Sequence, residues 1–183
     1  MNKITILPVL LAIAPLSACG SESAPAADAQ ADPASISLAD AMAKSPDVSG
    51  LFAAIKEAGL SDIFSAPGGY TIIAPPNAAF ADLTKDGDSP VPPAVLAGML
   101  REHMLPGQLD IDAIRKAIAD NGGKVSVRTM GSGMIAFSLE GDDVVATHSE
   151  SGMKAKLSGS GIQANNGALL LADAALASPP AAE

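Results

Sequence analysis

Tryptophan is absent from this sequence, and one tyrosine and four phenylalanines leave it only 3% aromatic, so a core has to come from Leu, Ile, Val, Ala and Met. The same scarcity leaves few platforms on which sugars could stack. Basic residues are few, 11 Lys and Arg against 20 Asp and Glu, for a net charge of -9. Such a surface repels nucleic acid and offers no basic patch to steer toward phosphate, so nucleic acid is excluded as a partner. A lone cysteine, Cys19, excludes an intramolecular disulfide. Phosphate-loop and dinucleotide fingerprints are missing. What remains is a chain of 183 residues, suited to one domain with appendages. A chain of this size buries roughly 70% of its unfolded surface and needs no crosslinks to be stable.

The first residues read as a targeting segment. Lys3 supplies a short positive start, and Ile4 to Ala14 is an apolar run too short to span a bilayer comfortably. Leu16-Ser17-Ala18-Cys19 resembles the bacterial lipobox, in which cleavage precedes the cysteine and its sulfur is lipidated. Small side chains at Ser17 and Ala18 let the backbone lie extended in a peptidase cleft. The competing reading is an ordinary secretory signal with a chance cysteine. The resemblance implies a mature chain starting at Cys19, with a diacylglyceryl thioether and an added N-acyl chain. Each buried CH₂ contributes about 0.8 kcal/mol, so several chains anchor where one would not. Gly20, rather than Asp, favours the outer membrane of a Gram-negative envelope, facing the periplasm or the cell surface. Residues 20–35 carry no large apolar side chain and read as a tether with a mean reach of roughly 20–25 Å. The expected division is a leader over 1–18, lipidated Cys19 and tether over 19–35, a folded domain over 36–180 and a frayed tail over 181–183.

Within the domain the hydrophobic period changes once. Ser37-Leu38-Ala39-Asp40 fits a capping box. Asp47 or Ser49 is expected to cap the next helix, whose Val48, Leu51, Phe52 and Ile55 form one stripe that Gly59 ends. Ser61 starts a further turn. Tyr70 to Ala74 is β-prone, and Pro75-Pro76 ends it because proline lacks the ladder N–H. Asn77 is placed to cap a helix through Phe80 and Leu83. Ala94 to Leu100 and a segment opened by Asp110 or Asp112 complete the helices, and Asn121-Gly122-Gly123 stops the last. Beyond residue 124 apolar residues alternate, through Val125 and Val127, then Ile135, Phe137 and Leu139, then Val144 and Val145, then Ala155 and Leu157. Asn165-Asn166-Gly167 is a hairpin signal between Ile162–Ala164 and a nearly unbroken apolar strand expected over 168–176. Helices first and strands second predict an α+β domain.

The residues that could carry chemistry have plainer readings. His103 has no Cys or second His near it in the sequence, and His148 falls in a predicted turn, so neither reaches the three or four ligands of a zinc site. His103 reads as a structural hydrogen-bonding residue. Ser132 and Ser160 lie among glycines but lack the nucleophile-elbow spacing. Asp86-Gly87-Asp88 and Asp142-Asp143 lack the ligand spacing of a calcium loop and read as solvated turns. Neither a metal nor a cofactor is implied.

Three segments resemble one family. "YTIIAPPNAAFADL" is similar to the first signature of fasciclin-like (FAS1) domains, a strand entering an Ala-Pro-Thr-Asn-x-Ala-Phe corner. "MLREHMLPGQL" resembles the family's central Leu-x-Tyr-His-x-x-Pro-Gly segment, and "GIQANNGALLLADAALASP" its second signature. Matching positions are Thr71, Ala74, Pro75, Asn77, Phe80, His103, Pro106, Gly107, Asn166, Gly167 and Asp173. The resemblance implies a fasciclin-like fold, with the helices packed on a β-sandwich or wedge. It also implies that the two signature strands lie together in the sheet, Ile72 and Ile73 near Leu169–Leu171. Asn77 is expected to cap its own helix above a buried Phe80, and Asp173 to accept backbone N–H groups near the corner. Pro76 stands where the family has Thr, and Glu102 where it has the Tyr before the central His. Interaction roles of that Tyr-His pair therefore do not transfer through Glu102.

The implied function is a non-enzymatic module of the cell envelope, anchored to the membrane by lipid and contacting a protein or other cell-surface macromolecule in adhesion. The alternative is a small apolar ligand carrier, in which Met residues and apolar helices line a pocket that Glu102 and His103 face.

Overall fold

The computed structural model describes residues 36–64, 68–86 and 89–178. The leader with Leu16, Ser17 and Ala18, the lipidation position Cys19, the tether, the tail over 181–183 and the Gly87-Asp88 part of the acidic turn lie outside the described residues.

Helix α1 (Leu38–Ala43) opens on Ser37, whose hydroxyl accepts the Asp40 N–H at 3.1 Å, and buries Leu38, Ala41 and Met42. A single 3₁₀ turn, Pro46–Val48, leads into α2 (Ser49–Glu57), which buries Leu51 and Ile55 and ends before Gly59 at φ 67°. Phe52 is half-buried, with the Lys56 ammonium 5.7 Å from its ring centre. Neither Asp47 nor Ser49 caps α2, because the 3₁₀ turn puts Val48 at the capping position. After a second 3₁₀ turn, Ser61–Phe64, the chain forms strand β1 (Tyr70–Ala74) and helix α3 (Asn77–Leu83). A two-residue ribbon, β2 (Lys85–Asp86) with β3 (Ser89–Pro90), precedes α4 (Pro93–Glu102), β4 (Met104–Pro106) and α5 (Ile111–Asp120). Asp110 caps α5 by accepting the Ala113 N–H at 2.6 Å. Strands β5 (Lys124–Arg128), β6 (Met134–Glu140), β7 (Asp143–His148), β8 (Lys154–Ala164) and β9 (Gly167–Ala172) complete the domain.

Seven strands form one sheet in the order β4-β1-β9-β8-β7-β6-β5. The two signature strands are neighbours: β1 runs parallel to β9, with Ile72 opposite Leu169, Ile73 opposite Leu170 and Ala74 opposite Leu171. The far ends of the sheet approach one another, the Met130 N–H after β5 reaching the Met104 carbonyl of β4 at 2.8 Å. Both faces are covered. Ile72, Ala74 and Leu169 pack with α1, α2 and α4 in one core, which also holds Phe80. Ile73, Leu105, Leu170, Ile135, Phe137 and Val144 form a second core inside the curl, closed by Ile114 and Ile118 of α5. Two-sided burial is why β9 reads as an apolar run and why β1 is buried from Thr71 to Ala74.

β8 joins two runs that read separately in the sequence, bending through an irregularity between Leu157 and Gly161. A Cβ at Gly161 would collide with the Leu169 carbonyl, so only glycine lets β9 come this close. β9 ends at Ala172, short of the expected Leu176. Ala175, Leu176 and Ala177 are still buried, but the Leu176 N–H turns to the His103 ring instead of a ladder partner.

Two asparagines tie the helical layer together and to the sheet. Asn77 occupies the first turn of α3 without capping it, Pro76 taking the capping position. Its side chain instead accepts the Gly50 N–H of α2 at 3.0 Å and donates to the Pro46 carbonyl at 2.9 Å and Ser49 Oγ at 3.2 Å. The corner thus caps α2, which has no local cap. Asn166 in the hairpin does the same for α1, accepting the Leu38 N–H at 2.7 Å and donating to the Phe64 carbonyl at 2.7 Å. The first-turn N–H groups of a helix lack intrahelical partners, and a lost cap is worth about 1–2 kcal/mol. Asn77→Ala and Asn166→Ala should each lower the unfolding free energy by that amount in urea titrations, with the slope unchanged.

Candidate functional site

The end of α4 carries the most connected polar group of the described residues. Glu102 projects toward the turn after β5 and accepts from five donor groups: Thr129 Oγ1 at 2.8 Å, Ser132 N–H at 2.7 Å, Ser132 Oγ at 3.2 Å, Gly133 N–H at 3.1 Å and His148 Nε2 at 3.0 Å. Gly131-Ser132-Gly133, which reads in sequence as a turn, is a carboxylate-binding nest filled by the chain's own glutamate. Its glycines are needed for space. A Cβ on Gly131 would collide with the Glu102 carboxylate, and one on Gly133 with the His148 ring. Burial pushes the Glu102 carboxyl up, but hydrogen bonds from His148, Thr129 and the Ser132 and Gly133 amides outweigh it and hold the pKa at about 2.

His148 departs from the sequence expectation. It is the last residue of β7 rather than a turn residue, and it is buried. Beyond Glu102 its Nδ1 meets the Ser151 N–H at 3.2 Å, and Ser151 Oγ donates to the Leu176 carbonyl at 2.7 Å. The N–H of the same Leu176 donates to His103 Nε2 at 3.0 Å, while His103 Nδ1 donates to the Met99 carbonyl at 3.0 Å. The two histidines, 45 positions apart and solitary in the sequence, therefore belong to one chain of bonds through Ser151 and Leu176. His103 is sealed in this position, and burial, with the neighbouring His148, drives its pKa down against the Met99 bond and the Glu102 charge.

Above the cluster lies a groove of about 710 Å³. Helix α4 forms one wall with Val95, Gly98, Met99 and Arg101, and the other comes from Ser132, Glu150, Ser151 and Ala177. Glu102 and His148 form part of its base; His103 does not reach it. Only one of the arrangements foreseen for a carrier is present, since Glu102 borders the groove, His103 faces away, and the walls mix charge with apolar surface. Among the described residues, Met99 is the only methionine lining it. No group of three or more His, Cys, Asp or Glu could hold a metal ion among the described residues. Chemically the cluster is quiet: the ionised carboxylate is already saturated with donors, and both nitrogens of His103 are engaged.

The signature residues fall elsewhere. Thr71 is buried on β1, donating to the Gly107 carbonyl and accepting the Leu109 N–H, both at 2.8 Å. Pro106 pairs opposite Tyr70, and Gly107 turns the chain at φ 90°. Ala74, Pro75 and Phe80 are buried at the corner, and Gly167 starts β9 against Tyr70. Asp173 accepts a backbone N–H, but that of Lys156 on β8 at 2.7 Å rather than one at the corner, because it lies beyond the end of β9 on the side facing β8. These residues set the sheet and its crossings; none but His103 joins the Glu102 cluster. Sequence reasoning missed Thr129, Gly133, His148 and Ser151 as a group. The available signal was Glu102 itself, an acid in an apolar helix end, with two glycines around a serine downstream.

No curated protein matches the chain. Among solved structures, a FAS1 domain pair from the insect cell adhesion molecule fasciclin I superposes with a TM-score of 0.53 at 23% identity, over 71% of this chain and 45% of that one. The chain thus spans under half the length of that pair, and the likeness is one of fold. The family model of the Fasciclin domain matches residues 46–178, from the 3₁₀ turn before α2 to the end of the segment that Leu176 pins. With most of its length matched and its two signature strands paired in one sheet, the chain belongs to the fasciclin domain family.

Proposed function

We propose that this protein is a non-enzymatic interaction module of the cell envelope, tethered by lipid at Cys19 and holding a protein partner in adhesion or surface contact. The observation that carries the reading is the Fasciclin domain match over residues 46–178. It is supported by the fold shared with a cell adhesion molecule, and the Glu102 carboxylate, hydrogen-bonded by Thr129, Ser132, Gly133 and His148, is itself engaged in structure. The step from fold to adhesion is one of analogy. The lipobox-like Leu16-Ser17-Ala18-Cys19 supports the anchor, and Gly20 the outer membrane.

Two measurements test it. Cys19→Ser should move the protein from the membrane fraction to the soluble fraction; a variant that still sediments with membranes refutes the anchor. Surface crosslinking in living cells should trap a protein partner. Recovery of soluble metabolites alone would refute adhesion and favour the carrier reading, which the groove's volume supports and its charged walls oppose.

A further inference from the structure

Gly98 is out of place. It sits inside α4, where glycine is the least favourable residue after proline. It is exposed, and a Cβ built on it meets nothing within 4 Å. Packing among the described residues therefore gives no reason for a missing side chain here, unlike at Gly131, Gly133 or Gly161. Yet Gly98 lines the groove, where it leaves the helix backbone bare for something else to approach.

The surroundings define what fits. One turn further along α4, Arg101 is exposed, and its side chain has no hydrogen bond or ion pair among the described residues. A planar guanidinium with free donors recognises a carboxylate in two-pronged fashion. On the opposite wall Glu150 is exposed, its one described contact being the Ser132 hydroxyl at 3.4 Å. The two rims thus offer one charge of each sign, and Val95 and Ala177 add apolar surface to the lining. The wall opposite α4 is held in place: Glu102 pins the 131–133 turn, and Ser151 is fixed by His148 and Leu176. A preformed site loses less on binding than one that must be ordered. A volume of about 710 Å³ suits a few residues of extended chain.

We propose that the groove between α4 and the Ser132 and Glu150 turns binds an extended peptide segment of a protein partner, its backbone crossing at Gly98, an acidic group on Arg101 and a basic group toward Glu150. This rests on the interaction-module reading and gives it a face. Apolar small molecules leave both rim charges unanswered, and an anion alone meets Glu150 and Glu102.

The test uses the full-length chain and a phage-displayed library of random heptapeptides. Selected sequences should share an acidic residue. Gly98→Leu, which fills the crossing point, should weaken a selected peptide at least tenfold, with the unfolding midpoint unchanged or raised. Arg101→Glu should weaken it similarly, and exchanging the peptide's acidic residue for lysine should restore binding to that variant. No enrichment, or selected peptides that bind both variants as they bind the wild type, would overturn the assignment. Should living-cell crosslinking trap a partner that the Gly98→Leu and Arg101→Glu proteins hold equally well, the interaction reading stands and this groove is not its face. Heptapeptides that obey the charge exchange while no macromolecule is trapped would uphold the groove and remove adhesion.

Discussion

Replacing Glu102 with glutamine should destabilise the fold by about 3 kcal/mol at neutral pH and erase part of its acid sensitivity. The carboxyl sits at about 2 against an ordinary 4.5, and each pH unit of such a difference is worth about 1.4 kcal/mol. The sign follows from proton binding. Between pH 4.5 and about 2 the unfolded chain holds a proton on Glu102 that the folded one does not. The contribution is therefore complete above 4.5 and drains away as pH falls toward about 2. Glutamine has no charge to titrate, and its amide NH₂ turns donors toward donors at Thr129 and His148 or at the Ser132 and Gly133 amides. Urea midpoints measured from pH 7 to pH 2 should show a steep wild-type decline below 4.5 and a shallower one for the variant. Parallel profiles would mean that Glu102 is not the hub described.

His103→Leu should cost about 2–3 kcal/mol at pH 8, and the deficit should shrink on acidification. Leucine is close in size, so the loss comes from the Leu176 N–H and the Met99 carbonyl, both left buried without these partners. The pH dependence has the opposite origin from that of Glu102 but the same direction. His103 is held neutral, its pKa below the ordinary 6.5, with Glu102 favouring its protonation and burial and His148 opposing it. Its contribution is complete above 6.5 and falls as pH drops from there toward the lowered value, because the unfolded imidazole takes up the proton first. Protonation of Nε2 also removes the acceptor that holds Leu176. The difference between wild type and variant isolates this residue, since all other titrating groups are common to both. A deficit constant from pH 8 to pH 5 would refute the assignment.

Much of the architecture was legible because it rests on local rules. Pro75-Pro76 ends β1 through a missing N–H, the Gly122-Gly123 pair stops α5, and the Asn165-Asn166 turn with Gly167 closes the last hairpin. Periods of 3.6 and 2 separated helices from strands. The misreadings were of another kind. Asn77 and Asn166 looked like local residues and cap helices that precede them by 27 positions at Gly50 and 128 at Leu38. β9 stopped early because His103, 73 residues away, took the Leu176 N–H. His148 looked like a turn because nothing near it in the sequence shows that Glu102 is waiting for its Nε2.

Taken by itself, the sequence determined the α+β class and the order of helices before strands, and its resemblance to the fasciclin family implied the pairing of the two signature strands. Periodicity, chain-breaking residues and burial patterns act over a few neighbours, and a string of residues displays them directly. Only the tertiary structure decided the Glu102–His148–Ser151–Leu176–His103 chain, the bare backbone at Gly98 and the groove with Arg101 on one rim and Glu150 on the other. Hydrogen bonds and cavities depend on distances across the curled sheet, and the folding that brings residues 102, 132 and 148 together is not written in their spacing.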